Sequence, residues 1–286
     1  MTQTSVNLGG EVTVHVQACG EDAIFVNAFL IETKNGVVAV DGTLTVSSGR
    51  SLRDRFASLQ KPLLAVLVTH PHPDHVAGLA ELVTDDQVPI IATQPVLDLM
   101  RRLEEPKRKQ WGPVYGPEWV AKWRYPNTIL DDGATIAFDG VTYRVHDLGF
   151  GGDSEANSIY TLSGPVRTAF LSDLVFNGVH SYLADGGVLA WLANLERVSE
   201  LCAGMPQVFP GHGPEGAPGE LVAKQREYLL SAARGVKELA RGRRTLSEAE
   251  KSLLTERLRA RWPGAGLEFL IGMSADAVAA ELAGPR

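Results

Sequence analysis

The sequence is poor in cysteine, in net positive charge and in long apolar runs, and each shortage excludes something. Two cysteines in 286 residues, Cys19 and Cys202, with no CxxC pair, do not make a disulfide framework. Both read as buried small hydrophobes. Lysine and arginine total 27 against 34 aspartates and glutamates, a net charge of -7. This balance offers no basic face for nucleic acid and argues against an anionic membrane surface as partner. No apolar run approaches the ~20 residues of a membrane-spanning helix. The N-terminal "MTQTSVNLGGEVTVHVQ" lacks the basic and apolar regions of a signal peptide, so a cytoplasmic protein is expected. Short repeats and low-complexity tracts are also missing. What remains is an ordinary globular composition, 44% hydrophobic and 21% charged, long enough for one large domain or two modest ones.

Along the chain, strand-like and helix-like segments alternate, which favours a layered α/β architecture. "EVTVHVQ", "AIFVNAFLIE" and "GVVAVD" within residues 11–41 read as strands. Residues 49–60 have helical spacing at Leu52, Phe56 and Leu59. "PLLAVLV" at 62–68 suits a strand buried on both faces, and "HVAGLAELV" at 75–83 the start of a helix. "PIIAT" is another strand and "QPVLDLMRRLEE" another helix. Residues 106–128 break the pattern with four prolines, two glycines and five of the eleven Trp and Tyr residues, and are expected to be irregular. A second strand-rich block spans 134–171, with "FDG" as a hairpin turn. Residues 187–203 read as a helix, and "QVFPGHG" at 207–213 as a strand entering a glycine loop. From 218 onward the chain reads as two or three helices, one begun by a capping box in "TLSE" at 245–248.

The chemistry is concentrated in "THPHPDHVAGL", residues 69–79. Three of the seven histidines, His70, His72 and His75, lie within six positions together with Asp74. Imidazole and carboxylate together suit zinc, manganese or iron. His70 and His72 are two apart, so on extended chain they point the same way and can reach one ion. Asp74 and His75 follow where the chain turns helical and can face a second. Pro71 and Pro73 restrict the backbone and stiffen the loop.

HxHxDH directly after a buried strand resembles the signature of the metallo-β-lactamase superfamily of metallohydrolases. The resemblance spans about residues 11–215 and includes "VVAVDG", "LSDLVF" and "VFPGHG". It implies an α/β fold, a four-layer αββα sandwich over residues 1–217, with the metal centre at one edge of two sheets. Residues 218–286 would form a C-terminal helical module packed on it. Asp173, closing "TAFLSD", matches the aspartate that bridges two ions, and His212 in "FPGHGP" the last histidine. The middle histidine, in a GH[TS]-type loop of the family, is missing. Aligned on "NSIY", Asp153 in "GGDSEAN" falls in its place. Glu155 or His146 could fill it instead, or this loop supplies no ligand at all. His15 and His180 read as packed histidines. Asp41 and Thr69 are placed to orient ligands or to serve a turn.

The resemblance implies two divalent ions, zinc first and manganese or iron next, and metal-assisted hydrolysis of an ester, thioester, lactone or amide of a small organic substrate. Asp74 could also accept or pass a proton. A carboxylate at the middle position makes the first metal site harder and more oxygen-rich, and raises the pKa of a bound water relative to a three-histidine zinc site. Trp111, Tyr115, Trp119 and Phe176 are candidates for the substrate pocket. Phe176 stands where acyl-homoserine lactonases of the superfamily carry a tyrosine, which weakens a lactonase assignment. The Arg241, Arg243 and Arg244 cluster resembles the basic tail of glutathione-thioester hydrolases, but a solvated helix end explains it equally. Competing expectations are a single-iron oxidoreductase resembling the persulfide dioxygenases, a binding protein without catalysis, and a nuclease, the last opposed by the acidic charge.

Overall fold

In the computed structural model, which describes residues 1–185 and 187–284, the apolar runs become strands whose alternate residues face two different cores. The chain forms β1 (Thr2–Gly9), β2 (Val12–Ala18), β3 (Asn27–Glu32), β4 (Val37–Val40), α1 (Val46–Ser58), β5 (Leu63–Leu67), α2 (Pro73–Val76), α3 (Leu79–Leu82), β6 (Ile90–Ala92), α4 (Gln94–Tyr115) and β7 (Thr128–Ile129). It continues through β8 (Thr135–Phe138), β9 (Val141–Gly149), β10 (Asn157–Ser163), β11 (Thr168–Phe176), α5 (Val188–Leu201), β12 (Phe209–His212), α6 (Pro218–Ala240), α7 (Glu248–Arg261) and α8 (Phe269–Leu282). The first seven strands form one sheet in sequence order, antiparallel up to β4 and parallel from β4 to β7. The other five form a second sheet in the order β12-β11-β10-β9-β8, with only the β11–β12 pair parallel.

In β4, Val38 and Val40 face the space between the sheets, while Val37 and Ala39 face the helices outside. β5 divides in the same way between Ala65 and Leu67 on one side and Val66 on the other. A strand covered on both faces must be apolar throughout, which is why these segments show no alternation. Phe29, Phe170 and Phe209 join the sheets, with ring centroids 5.0 to 5.6 Å apart. α1 and α4 cover the outer face of the first sheet. α5 and the three C-terminal helices cover that of the second and share one apolar core with it. The result is the four-layer αββα sandwich with a helical C-terminal region. Pro285 and Arg286, at the end of the 218–286 segment, lie outside the described residues.

Several local expectations change. β1, unread in the sequence, pairs along β2 as an exposed edge strand. "HVAGLAELV" is split into α2 and α3, because the loop after β4 presses on Gly78. Gly78 N–H donates to the Thr43 carbonyl at 2.6 Å, and a Cβ at Gly78 would overlap the Thr43 hydroxyl. Residues 106–115 are not irregular but the last turns of α4, which runs through Pro106 and Pro113. Both prolines are exposed, as are Arg102 and Lys109, the residues four positions before them whose carbonyls lose the usual helical donor, so the interruptions fall on the solvent side of the helix. Val96, Leu99 and Met100 anchor the helix to the sheet meanwhile. The capping box of α7 is Ser247 with Glu250, two residues later than expected. Asp139 and Gly140, both at positive φ, make the turn of the β8–β9 hairpin.

Candidate metal centre

The loop after β5 with α2, the loop after β9, strand β11 and the end of β12 meet at one edge of the sandwich. There they bring His70, His72, Asp74, His75, Asp153, Asp173 and His212 together, none more than 6% exposed. The ligand-capable atoms of Asp74, His75, Asp173 and His212 lie within 4.8 Å of one another, and so do those of His70, His72 and Asp153. Asp153 Oδ2 is 2.7 Å from His72 Nδ1 and 3.7 Å from His70 Nε2. Asp173 turns Oδ1 to His75 Nε2 and Oδ2 to His212 Nε2, both at 3.2 Å. Asp74 Oδ2 is 3.4 Å from His75 Nε2 and 3.3 Å from His212 Nε2. The His70 and His75 rings, 4.2 Å apart, join the two groups.

Glu155 and His146 stand apart from this cluster. Glu155 is exposed and pairs with Arg102, and His146 bonds the Thr161 hydroxyl at 2.9 Å. His15 contacts Glu32 and Ser5, and His180 contacts Tyr228.

Behind the rings lies a hydrogen-bonded chain. Asp41 accepts from the Thr69 N–H at 2.8 Å and the Thr69 hydroxyl at 2.7 Å, and its Oδ2 is 2.9 Å from His75 Nδ1. Thr69 Oγ1 meets Ser172 Oγ at 2.6 Å, and Ser172 Oγ lies 2.9 Å from His70 Nδ1. One chain, Asp41–Thr69–Ser172, thus orients a histidine of each group. Asp41 and Ser172 take φ of 57° and 49°, a strained region for residues with a side chain. Asp185 supports His72, with Oδ2 3.3 Å from Nε2. The sequence carried a faint sign of Ser172, a hydroxyl immediately before the expected Asp173, and none of Asp185.

His212 stands between two glycines that have no room for a side chain. A Cβ at Gly211 would overlap Asp173 Oδ1, and one at Gly213 the Asn177 carbonyl. Gly213 also holds a φ of 81°.

The electrostatics fit a cation. Burial opposes charge on His72 and His212, but neighbouring carboxylates outweigh it, raising His72 to about 10 and His212 to about 9. His75 is raised for the same reason, chiefly by Asp173. Burial lifts Asp153 to about 7, against the pull of His72. These carboxylates therefore recruit protons onto their neighbours, since buried negative charge must be compensated. His70 Nε2, His75 Nε2, Asp153 Oδ1 and Asp173 Oδ1 are buried without a hydrogen-bond partner among the described residues. Such atoms, converging from imidazoles and carboxylates, fit divalent metal ions.

His72, Asp74, Asp153, Asp173 and His212 form the floor of a cleft of about 660 Å³, counted to its open mouth, with His70 and His75 outside the lining. Trp111, Tyr115 and Phe176 line it, and Phe176 stacks on His212 with 5.1 Å between centroids. Trp119 does not: it is buried in the core under α4 and bridges to Thr45. Missed in the sequence were Ile24, Leu44, Lys107 and Tyr182, and Leu267, Leu270 and Met273 of the C-terminal region. Arg243 instead caps the Leu239 and Ala240 carbonyls at the end of α6. Cys19 and Cys202 are free and buried, their thiols pushed up to about 12 by burial. Among the described residues no helix is long and apolar enough to cross a membrane.

A sequence model of the metallo-beta-lactamase superfamily matches residues 22–212. Among solved structures, a metallo-beta-lactamase from Pontibacter korlensis superposes with a TM-score of 0.63 at 19% identity, over 80% of this chain and 99% of that one. One from Hirschia baltica gives 0.60 at 20% identity, over 80% and 98%. A mono-zinc enzyme of Pseudomonas aeruginosa gives 0.59 at 16% identity, over 81% and 96%. At these identities the likeness is one of fold. A linear primary-alkylsulfatase of Pseudomonas sp. (strain ATCC 19151) is 35% identical over 60 residues, 21% of this chain but only 11% of that protein.

Proposed function

From the premise that this chain belongs to the metallo-β-lactamase superfamily of metal-dependent hydrolases, we propose that it cleaves an ester-type bond of a small organic substrate at a two-ion centre. His70, His72 and Asp153 would hold one ion and Asp74, His75 and His212 the other, with Asp173 shared. When bound, such ions bring a water toward ionisation near neutral pH and polarise the bond under attack. Zinc is the first choice. The carboxylate of Asp153 in place of an imidazole favours manganese or iron more than a three-histidine site does.

The protein's own groups supply the rest. Asp74 borders the cleft beside His75 and His212 and is held well below the usual carboxylate range, because these imidazoles outweigh its burial. It remains ionised and can accept a hydrogen bond from a water, and so orient it. Phe176, Trp111 and Leu44 keep bulk water from the floor and hold an apolar part of the substrate. The observation that carries the proposal is the convergence of partnerless buried imidazole and carboxylate atoms at the base of a largely apolar cleft, Asp153 and Asp173 lining it and His70 and His75 packed against those residues.

Acyl esters, thioesters, lactones and amides are the leading substrates. A sulfate ester of an apolar alcohol is a second reading, favoured by the alkylsulfatase match and the apolar wall. The test is to count metals by mass spectrometry and assay acyl ester, thioester, lactone, β-lactam and sulfate ester panels with zinc or manganese. Two ions and turnover on one panel support the proposal. One iron with oxygen uptake replaces it with an oxidoreductase, and no metal with no turnover replaces it with a binding protein.

A further inference from the structure

The cleft has two unlike sides. On the His212 side its wall is apolar: Phe176 stacks on His212, and the Val26–His212 bridge brings Ile24 beside it. On the His72 side the wall is polar. The Tyr182 ring lies 5.5 Å from the His72 ring, and Lys107 Nζ sits 5.6 Å from the centre of the Tyr182 ring. Lys107 is the only lysine or arginine in the lining among the described residues.

Its neighbours on α4 are paired: Arg102 with Glu155, and Arg108 and Lys109 with Glu105. Lys107 has no salt bridge among the described residues. Asp185, beside His72, is already engaged by His72 and by the Tyr182 hydroxyl, each at 3.3 Å. An ammonium in a partly apolar cleft attracts an anion more strongly than it would in open water, and one resting on a ring face is held in place.

We propose that the substrate is an anionic amphiphile, with its acidic group on Lys107 at the His72 side and its apolar chain along Phe176 and Ile24 at the His212 side. The bond to be cleaved then crosses the floor between them. Lys107 is a specificity residue under this proposal. It rests on the hydrolase proposal only in taking the cleft as the substrate site.

The test measures calorimetric binding of octanoate, octyl sulfate, octanol and octyltrimethylammonium to the full-length zinc-loaded protein and to Lys107→Gln. Bound metal also attracts anions, so the informative quantity is the octanoate-to-octanol affinity ratio. It should fall about tenfold in Lys107→Gln. Lengthening the anion from butanoate to octanoate should tighten binding about threefold to fourfold per methylene. The tighter of octanoate and octyl sulfate identifies the acidic group as carboxylate or sulfate.

An unchanged ratio in Lys107→Gln overturns the proposal, as does equal binding of octyltrimethylammonium, or affinity independent of chain length. If any of these occurs while metal uptake and ester turnover persist, the hydrolase proposal stands alone. Lys107-dependent anion binding without metal uptake or turnover leaves the recognition standing and removes the hydrolysis.

Discussion

Asp173 and His212 meet over backbone so closely packed that neither Gly211 nor Gly213 can carry a Cβ, and both lie on paired strands, Asp173 within β11 and His212 at the end of β12. Asp153 reaches His72 from an irregular loop instead. Side-chain amides hold that loop: Asn157 donates to the Gly149 and Ser154 carbonyls at 2.9 and 2.6 Å, and Asn194 to the Gly151 carbonyl at 2.7 Å. Behind the second group stands fully buried Asp41. Behind the first stands Asp185, with 30% of its side chain exposed. Asp153, proposed to stand where the family carries a histidine, occurs in the group supported by adjustable contacts. A ligand change is easier to absorb where side chains rather than strand ladders set the backbone.

The largest expected effect breaks the contrast altogether. Gly211→Ala forces a methyl into Asp173, the residue proposed to be shared by the two ions, so metal content should fall toward zero at both sites. The overpacking should also cost about 1–3 kcal/mol of stability. Retention of two ions with normal thermal stability would show that this side is not rigid.

Next, Asp153→Ala should reduce metal content from two ions per chain to one, while Asp153→His keeps two and shifts preference toward zinc. Mass-spectrometric metal counts decide this, and an alanine variant that still binds two ions removes Asp153 from the proposed set. A smaller effect separates the supports. Ser172→Ala should weaken only the ion held by His70, by about 10–100-fold, whereas Asp41→Ala should weaken both, since Asp41 holds His75 directly and Thr69 beside His70. Competition titrations with a chelator resolve the two affinities. Equal effects of both variants on both ions would contradict the assigned chain. The smallest effect lies away from the centre: Ser247→Ala removes the cap of α7 and should cost about 1 kcal/mol of stability with metal content unchanged. A loss of metal in that variant would show that the C-terminal helices couple to the centre.

The legible parts of the molecule were those where chemistry or burial dictates composition. β4 and β5 are apolar throughout because both faces are covered, and the HxHxDH loop concentrates histidines that no packing role requires. Other features were hidden because their meaning depends on partners far along the chain. β1 is too exposed for alternation to mark it, and exposure also let α4 continue through Pro106 and Pro113. Trp111 and Trp119 look equivalent in an aromatic-rich segment, yet one faces the cleft and the other the core. Only the direction in which α4 ends distinguishes them.

By itself the sequence determined the layered fold and the histidine loop with His70, His72, Asp74 and His75, whereas Asp173, His212 and Asp153, the last favoured over Glu155 and His146, were expected only from the resemblance to the superfamily. Local patterns carry the fold and the loop, since strand burial and ligand chemistry restrict the residue types allowed there. The tertiary structure alone decided that Asp153 meets His72, that Asp41, Thr69 and Ser172 link the two groups, and that Lys107 and residues of α8 line one cleft. Those relations join side chains tens to hundreds of residues apart, and only packing of the two sheets and their helices brings them within reach.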